Sequence, residues 1–353
     1  MIRLECDYLE GAHPAVLEAL VRTNDVQTPG YGNDDYCAYA RTLIKSACMC
    51  EDCDVHFLVG GTQTNSTVIA AALRAHQGVI SADSGHINVH ETGAIEMNGH
   101  KVIALPSAFG KISAASVAAT LEAHYSDRDR EHTVQPGMVY ISHPTEVGTL
   151  YTKAELSALS EVCRRYDIPL FLDGARLGYG LAAEGTDLTL PDIAALCDVF
   201  YIGGTKVGAL FGEALVITKE SLKKDFRYVI KQHGAMLAKG RLLGIQFAAL
   251  MENGLYTEIA AHADRLAYRL RDGIAALGYP FFMDSPTNQQ FPILPDEILS
   301  RLEEKYSFSH WGKADEGHSI IRICTSFMTP AAYVDELLAD LAALTKDKNA
   351  ALA

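Results

Sequence analysis

A lysine and an aspartate each follow a run of apolar residues in the middle of the chain. Lys206 comes after the apolar run 199–202 and two glycines, and Asp173 comes directly after the apolar run 170–172. An amine and a carboxylate at the ends of buried strands are the two groups that a pyridoxal phosphate (PLP) enzyme needs. The lysine forms a Schiff base with the cofactor, and the aspartate keeps the pyridine nitrogen protonated. The pair therefore predicts PLP chemistry.

A glycine pair earlier in the chain is placed to bind an anion. Gly60, Gly61 and Thr62 follow the apolar strand predicted at 55–59 and open a predicted helix. Backbone N–H groups at such a turn can approach a phosphate, and the helix N-terminus favours negative charge. The spaced glycines of a dinucleotide site and the Gly-Lys-Ser/Thr of a P-loop are both missing. We therefore expect Gly61 and Thr62 to bind a monophosphate; an ordinary turn is the alternative.

Apolar strands alternate with helices through most of the chain. This pattern predicts an α/β fold with a mostly parallel central sheet flanked by helices, and ligands bind such sheets at the carboxyl ends of the strands. Several polar groups fall at those ends and predict a single site: Gly61 and Thr62, His86, His143, Asp173 to Arg176, and Lys206.

The pattern of predicted helices and strands changes after about residue 245. Helices then alternate with short strands over the last hundred or so residues, which is typical of an α+β unit. We predict an N-terminal arm at 1–12, a large PLP-binding domain at 13–245, and a small C-terminal domain at 246–353.

Composition and net charge limit the classes of partner that we expect. The 353 residues carry a formal charge of −14, which argues against nucleic acid and anionic membranes. No secretion signal and no bilayer-length apolar stretch are visible, so a cytoplasmic location is expected. Cys48, Cys50 and Cys53 lack a second ligand pair at zinc spacing, and no metal site is predicted.

Several motifs together resemble the threonine aldolase family of PLP enzymes, which is grouped with the β-eliminating lyases in the aspartate-aminotransferase-like fold. The resemblance covers essentially the whole chain. It rests on the segments 4–7, 31–34, 61–65, 86–94, 173–176, 206–208 and 321–322.

The resemblance implies a role for each matching residue. Lys206 would hold PLP covalently, with Asp173 on the pyridine nitrogen and His86 stacked on the ring. Arg176 and Arg322 would bind the substrate carboxylate, a task that suits the bidentate guanidinium group. The resemblance also implies a homodimer or homotetramer with shared active sites, in which a neighbouring subunit supplies a basic group near Lys231. Cys6 and Tyr31 would lie near a small amino-acid substrate.

Two departures from the family pattern concern the reaction. The family typically has Ser at the position of Cys6, and often a His where this chain has Thr145 or Glu146. The candidate bases are therefore His86, His143, Glu146 or a water molecule held by them. The reaction expected from the resemblance is retro-aldol cleavage of a β-hydroxy-α-amino acid. The alternatives are β-elimination or transamination, or a PLP-binding protein with little catalysis.

Overall fold

The computed structural model describes residues 1–352. Its strands are β1 Ile2–Arg3, β2 Asp54–Leu58, β3 Gln77–Ala82, β4 Val102–Leu105, β5 Gln135–Ser142, β6 Leu170–Asp173, β7 Val199–Gly203, β8 Glu213–Ile217, β9 Gln289–Gln290, β10 Ile293–Pro295, β11 Tyr306–Ser307, β12 Ser309–Lys313 and β13 His318–Cys324. Its helices are α1 Pro14–Arg22, α2 Asp35–Cys48, α3 Gly61–Ala72, α4 His86–Val89, α5 Ala94–Met97, α6 Ala114–Ser126, α7 Lys153–Arg165, α8 Leu177–Ala182, α9 Leu190–Leu196, α10 Glu220–Lys223, α11 Phe226–Gln232, α12 Arg241–Met251, α13 Leu255–Ala276, α14 Asp296–Leu302 and α15 Ala331–Leu352.

A seven-stranded sheet forms the centre of the molecule. Its strand order is β2-β8-β7-β6-β5-β3-β4, and β8 pairs antiparallel with both of its neighbours while the other pairs are parallel. The prediction of a mostly parallel sheet is confirmed. Strand β8 was not predicted. It follows β7 through a short connection without a helix, and a short connection of this kind joins antiparallel strands.

Alternate residues of each central strand pack into different cores. Val199 and Tyr201 of β7 belong to one apolar cluster, whereas Phe200 and Ile202 belong to another. Successive side chains of a strand point to opposite faces, so the sheet buries both of its faces under helices. This double burial explains why the strands read as continuous apolar runs.

The C-terminal part builds a second sheet. Strands β10, β13 and β12 pair in that order, and β9 pairs with another part of β13. A separate core cluster there includes Leu4, and β1 pairs with β11, so the N-terminal segment packs on the C-terminal part. Helix α12 runs through residue 245, which places the predicted domain boundary within a helix.

Two further features bear on the sequence predictions. Among the helices of residues 1–352, none is both long and apolar enough to cross a membrane. Cys48 and Cys53 are buried, and the described residues contain no group of three or more metal-binding side chains.

Candidate active site

A cavity of about 300 Å³ opens at the carboxyl ends of the central strands. Parallel strands bring their ends to one edge of the sheet, so residues distant in sequence meet there. The predicted site residues that line the cavity are Gly61, Thr62, His86, Glu146, Asp173, Arg176 and Lys206.

Asp173 ends β6 at the floor of the cavity and is surrounded by hydrogen-bond donors. Tyr201 donates to its Oδ1 at 2.5 Å, and Tyr140 donates to its Oδ2 at 2.6 Å. Asn65 Nδ2 and the Ala175 N–H each donate at 3.0 Å. Burial alone would raise the pKa of Asp173, but the nearby His86 and the two hydroxyl donors lower it. The carboxylate is therefore held in its charged form.

Lys206 follows β7 and reaches the same cavity. Its Nζ lies 5.9 Å from the centre of the Tyr8 ring. Burial and the positive charge of Arg176 lower the pKa of the Lys206 amine, because both disfavour its protonated form. Glu213 lines the cavity too, and it accepts hydrogen bonds from the Gly204 N–H and the Thr205 hydroxyl in the turn that carries the lysine.

His86 stands at the N-terminus of α4 with its ring oriented by a buried carboxylate. Its Nδ1 lies 2.8 Å from Glu91 Oε1, and Asn65 Nδ2 donates to the same oxygen at 2.7 Å. Because Asn65 also donates to Asp173, one amide group connects the His86–Glu91 pair to the floor of the cavity.

Glu146 accepts hydrogen bonds from two neighbours in the cavity wall. Its Oε1 accepts from the His86 N–H at 2.9 Å and from the Ser142 hydroxyl at 2.6 Å. The Ser142 hydroxyl oxygen lies 3.3 Å from that of Tyr140, but each of these hydroxyls donates its hydrogen to a carboxylate, Ser142 to Glu146 and Tyr140 to Asp173. Burial raises the pKa of Glu146, and its Oε2 has no hydrogen-bond partner among the described residues.

The phosphate end of PLP fits the start of α3. Helix α3 begins at Gly61, Gly60 is its extended N-cap residue, and no side chain in residues 1–352 caps this end. A Cβ on Gly61 would lie 3.1 Å from the Tyr201 hydroxyl, so a glycine keeps the approach open. Uncapped N–H groups at a helix N-terminus suit a phosphate. With Asp173 and Lys206 opposite, the residues present fit the cofactor.

The structure places the two predicted carboxylate-binding arginines in different environments. Asp7 binds Arg176 through two contacts, Nε to Oδ2 at 2.7 Å and Nη2 to Oδ1 at 2.9 Å. This ion pair uses the Nε–Nη2 edge of the Arg176 guanidinium group and does not involve Nη1. Arg322 lines an adjoining cavity of about 520 Å³, which also reaches Arg176, Glu146 and Lys206. That both arginines bind the substrate carboxylate stays a prediction.

Four other predicted site residues do not line either cavity. His143 is fully buried, its Nδ1 accepts from the Tyr151 N–H, and burial lowers its pKa to about 4. This position argues against His143 as the base. Cys6 is buried, and burial raises the pKa of its thiol; its place beside the substrate stays a prediction. Tyr31 and Lys231 lie in a separate surface hollow, with Lys231 Nζ 4.6 Å from the centre of the Tyr31 ring.

Several residues that support the site were not predicted. Tyr140 and Tyr201 are polar-ended residues inside apolar strands, and each lies two positions before the end of its strand. This placement could have predicted a hydrogen bond near the site, because a buried tyrosine hydroxyl usually has a hydrogen-bond partner. Asn65, Glu91 and Glu213 carried no comparable signal, since only the fold brings Glu213 to the cavity and places Asn65 and Glu91 against Asp173 and His86.

Comparisons with known proteins agree with this geometry. A model of the β-eliminating lyase family matches residues 9–296. A low-specificity L-threonine aldolase from a Pseudomonas species is 31% identical over 349 residues, which cover 96% of both chains. The structure of Leishmania major threonine aldolase has a TM-score of 0.95 and 43% identity, and the match covers 98% of this chain and 100% of that one.

A more distant match shows the fold alone. Aspartate aminotransferase from Thermus thermophilus is 15% identical, with a TM-score of 0.70 over 97% of this chain and 91% of that one. The expected aspartate-aminotransferase-like fold is thereby confirmed. Because the family model spans most of the sequence, the chain belongs to the β-eliminating lyase family of PLP-dependent enzymes.

Proposed function

We propose that the protein cleaves the Cα–Cβ bond of β-hydroxy-α-amino acids such as L-threonine or L-allo-threonine, which yields glycine and an aldehyde. The observation that carries this proposal is the position of Glu146. It lies where the two cavities adjoin, next to His86, and burial raises its pKa toward the range useful for a base. The threonine aldolases among its relatives point the same way.

Each group of the site has a task in this proposal. Bound PLP supplies an electron sink for the pair of electrons left when the Cα–Cβ bond breaks. Asp173 keeps a negative charge at the floor of the cavity, and Lys206 supplies the amine that holds the cofactor. Gly61 and Thr62 bind its phosphate. His86, oriented by Glu91, covers the ring.

The substrate is oriented from the adjoining cavity. Arg322 binds its carboxylate, which fixes the bond to be broken relative to the site. Glu146, which lines both cavities, accepts the proton of the β-hydroxyl group, so that the β-carbon leaves as an aldehyde. In this proposal, Glu146 acts as the base in place of the histidine that the family often has at Thr145 or Glu146.

We further propose a homodimer or homotetramer with shared sites. Tyr31, Arg227 and Lys231 form a basic and aromatic surface hollow beside Tyr228, which is 78% exposed. A second copy packed there would bring Lys231 and Tyr31 into reach of its neighbour's phosphate end. We place the protein in the cytoplasm, since none of its eight cysteines is in a disulfide and reduced thiols suit that compartment.

A product assay tests the reaction. The PLP-loaded protein is incubated with L-allo-threonine and with L-threonine, and glycine, acetaldehyde, 2-oxobutyrate and ammonia are measured together. We expect glycine and acetaldehyde in equal amounts from at least one isomer. Formation of 2-oxobutyrate and ammonia instead would identify an eliminating or deaminating enzyme, and amine transfer to an added keto acid would identify an aminotransferase.

A further inference from the structure

Strand β12 contains an irregularity at the edge of the second cavity. Ser309 pairs with Arg322 and His310 pairs with Ile321, but the next partner, Ile320, pairs with Gly312. Trp311 is the extra residue of this β-bulge. Consecutive side chains of a regular strand point to opposite faces, and a bulge redirects them. Here Ser309, His310 and Trp311 all line the same cavity.

Trp311 is held in place on one side and contacts a cation on the other. Its ring meets the buried Phe291 edge-on, with ring centres 5.2 Å apart. The guanidinium carbon of Arg322 lies 5.5 Å from the centre of the Trp311 ring. This distance is within the range of a cation–π contact, which is strongest over an indole.

Arg322 also has two hydrogen-bond partners, and neither is a carboxylate. Its Nη2 donates to the Glu5 carbonyl at 3.1 Å, and its Nη1 donates to Gln289 at 3.4 Å. Its Nε has no hydrogen-bond partner in the part of the chain that the structure describes, and no carboxylate there forms an ion pair with it. Arg176 differs, because Asp7 binds it through two contacts. The indole is thus one of three groups that contact the guanidinium of Arg322, with the Glu5 carbonyl and Gln289.

We propose that Trp311 is a positioning residue for substrate recognition: the β-bulge presents its indole to Arg322 and so holds the guanidinium group ready for the α-carboxylate of the amino acid. The inference rests on the proposed function, since it assigns Arg322 to the substrate carboxylate. It adds a residue that acts through Arg322 rather than on the reacting atoms.

Steady-state kinetics with the PLP-loaded enzyme tests this role. For Trp311→Leu we expect KM for the β-hydroxy amino acid to rise about 3- to 30-fold, the range of a partly buried cation–π contact, with kcat much less affected. Trp311→Phe keeps an aromatic face and should restore most of the lost affinity. Tyr333→Leu, an exposed aromatic residue outside both cavities, is the matched control. An unchanged KM in Trp311→Leu would overturn the inference.

The chain contains one tryptophan, so Trp311 also reports binding by its own fluorescence. The PLP-loaded wild type is titrated with glycine and with methylamine, which has the amine but lacks the carboxylate. We expect a saturable change in emission with glycine that is absent with methylamine and lost in Arg322→Leu. Equal responses to the two amines, or none to glycine, would contradict the inference.

The two measurements separate this inference from the proposed reaction. If threonine is cleaved while Trp311→Leu keeps its KM, the positioning role fails and the reaction stands. If glycine changes the emission in the expected way but threonine is not cleaved, the carboxylate contact stands and the proposed reaction fails.

Discussion

Two buried carboxyl groups of the site have pKa values shifted in opposite directions because their surroundings differ. Asp173 receives hydrogen bonds from Tyr140 and Tyr201, and these donors with His86 lower its pKa despite burial. Glu146 accepts fewer hydrogen bonds than Asp173 does, and burial raises its pKa. Opposite shifts of neighbouring acids are a common way to separate a permanent charge from a proton acceptor. We therefore expect Asp173 to stay ionised while Glu146 exchanges a proton.

Replacement of Glu146 by Gln tests this difference at the scale of one residue. Loss of a general base typically lowers kcat by about 100- to 10,000-fold. A base must be deprotonated, so wild-type activity should fall as the pH drops through the raised pKa of Glu146. Rates of the glutamine variant, measured from pH 5 to pH 9, should lack this acidic limb.

Glu122 provides the control for that substitution, because it is exposed on α6 away from the cavity. Glu122→Gln should keep both the rate and the acidic limb. If Glu146→Gln kept a wild-type pH profile, the base would have to be another group, and His86 would become the first candidate.

At the scale of elements, the ends of β6 and β7 lie unusually close together. The Gly203 N–H donates to the Gly174 carbonyl at 3.0 Å. A Cβ on Gly174 would overlap the carbonyl oxygen of Tyr201, and one on Gly203 would overlap the carbonyl oxygens of Gly174 and Ala175. Glycine at these two positions therefore allows the strand carrying Asp173 to approach the strand carrying Lys206.

Gly174→Ala should force these two strand ends apart. Because the overlapping atoms belong to the backbone and cannot rotate away, we expect unfolding free energy to fall by about 1–3 kcal/mol or more. Cofactor affinity should fall as well, since the spacing of Asp173 and Lys206 changes. Chemical denaturation and PLP titration measure the two effects.

Gly11→Ala is the matched control, because a Cβ there meets no atom within 4 Å and its φ is not positive. It should leave both stability and cofactor affinity unchanged. Normal PLP binding by a folded Gly174→Ala variant would show that the site tolerates a wider spacing than the close contact indicates.

At the scale of the whole molecule, the proposed shared site predicts that inactive subunits rescue one another. Lys206→Ala removes the amine from the cavity, and Lys231→Ala removes a charge from the surface hollow. If Lys231 serves a neighbour, a mixed dimer contains one intact site. Random mixing after dissociation should then restore about a quarter of wild-type activity, because half of the dimers are mixed.

The mixing experiment would give a different result if the site were not shared between subunits. If Lys231 acted within its own chain, each mixed dimer would contain two defective sites and activity would stay at the background level. Light scattering on the same samples establishes whether a dimer or tetramer is present, and unmixed variants provide the baseline.

The sequence by itself determined the main parts of the site. Lys206 and Asp173 each follow a continuous apolar run, and such runs predict buried parallel strands whose carboxyl ends meet at one edge. Gly61 and Thr62 could be placed for the same reason, since a strand followed by glycines and a helix is a local pattern. These inferences needed only short segments of chain and one rule of sheet topology.

Only the tertiary structure decided which polar groups face one another. His143 and Glu146 lie three positions apart after the same strand, yet the turn buries the imidazole behind the cavity and turns the carboxylate toward it. Asp7 reaches Arg176 across 169 positions of sequence and binds its guanidinium group. Side-chain direction in a loop and pairing between distant segments depend on packing of the whole chain, and no local sequence pattern encodes them.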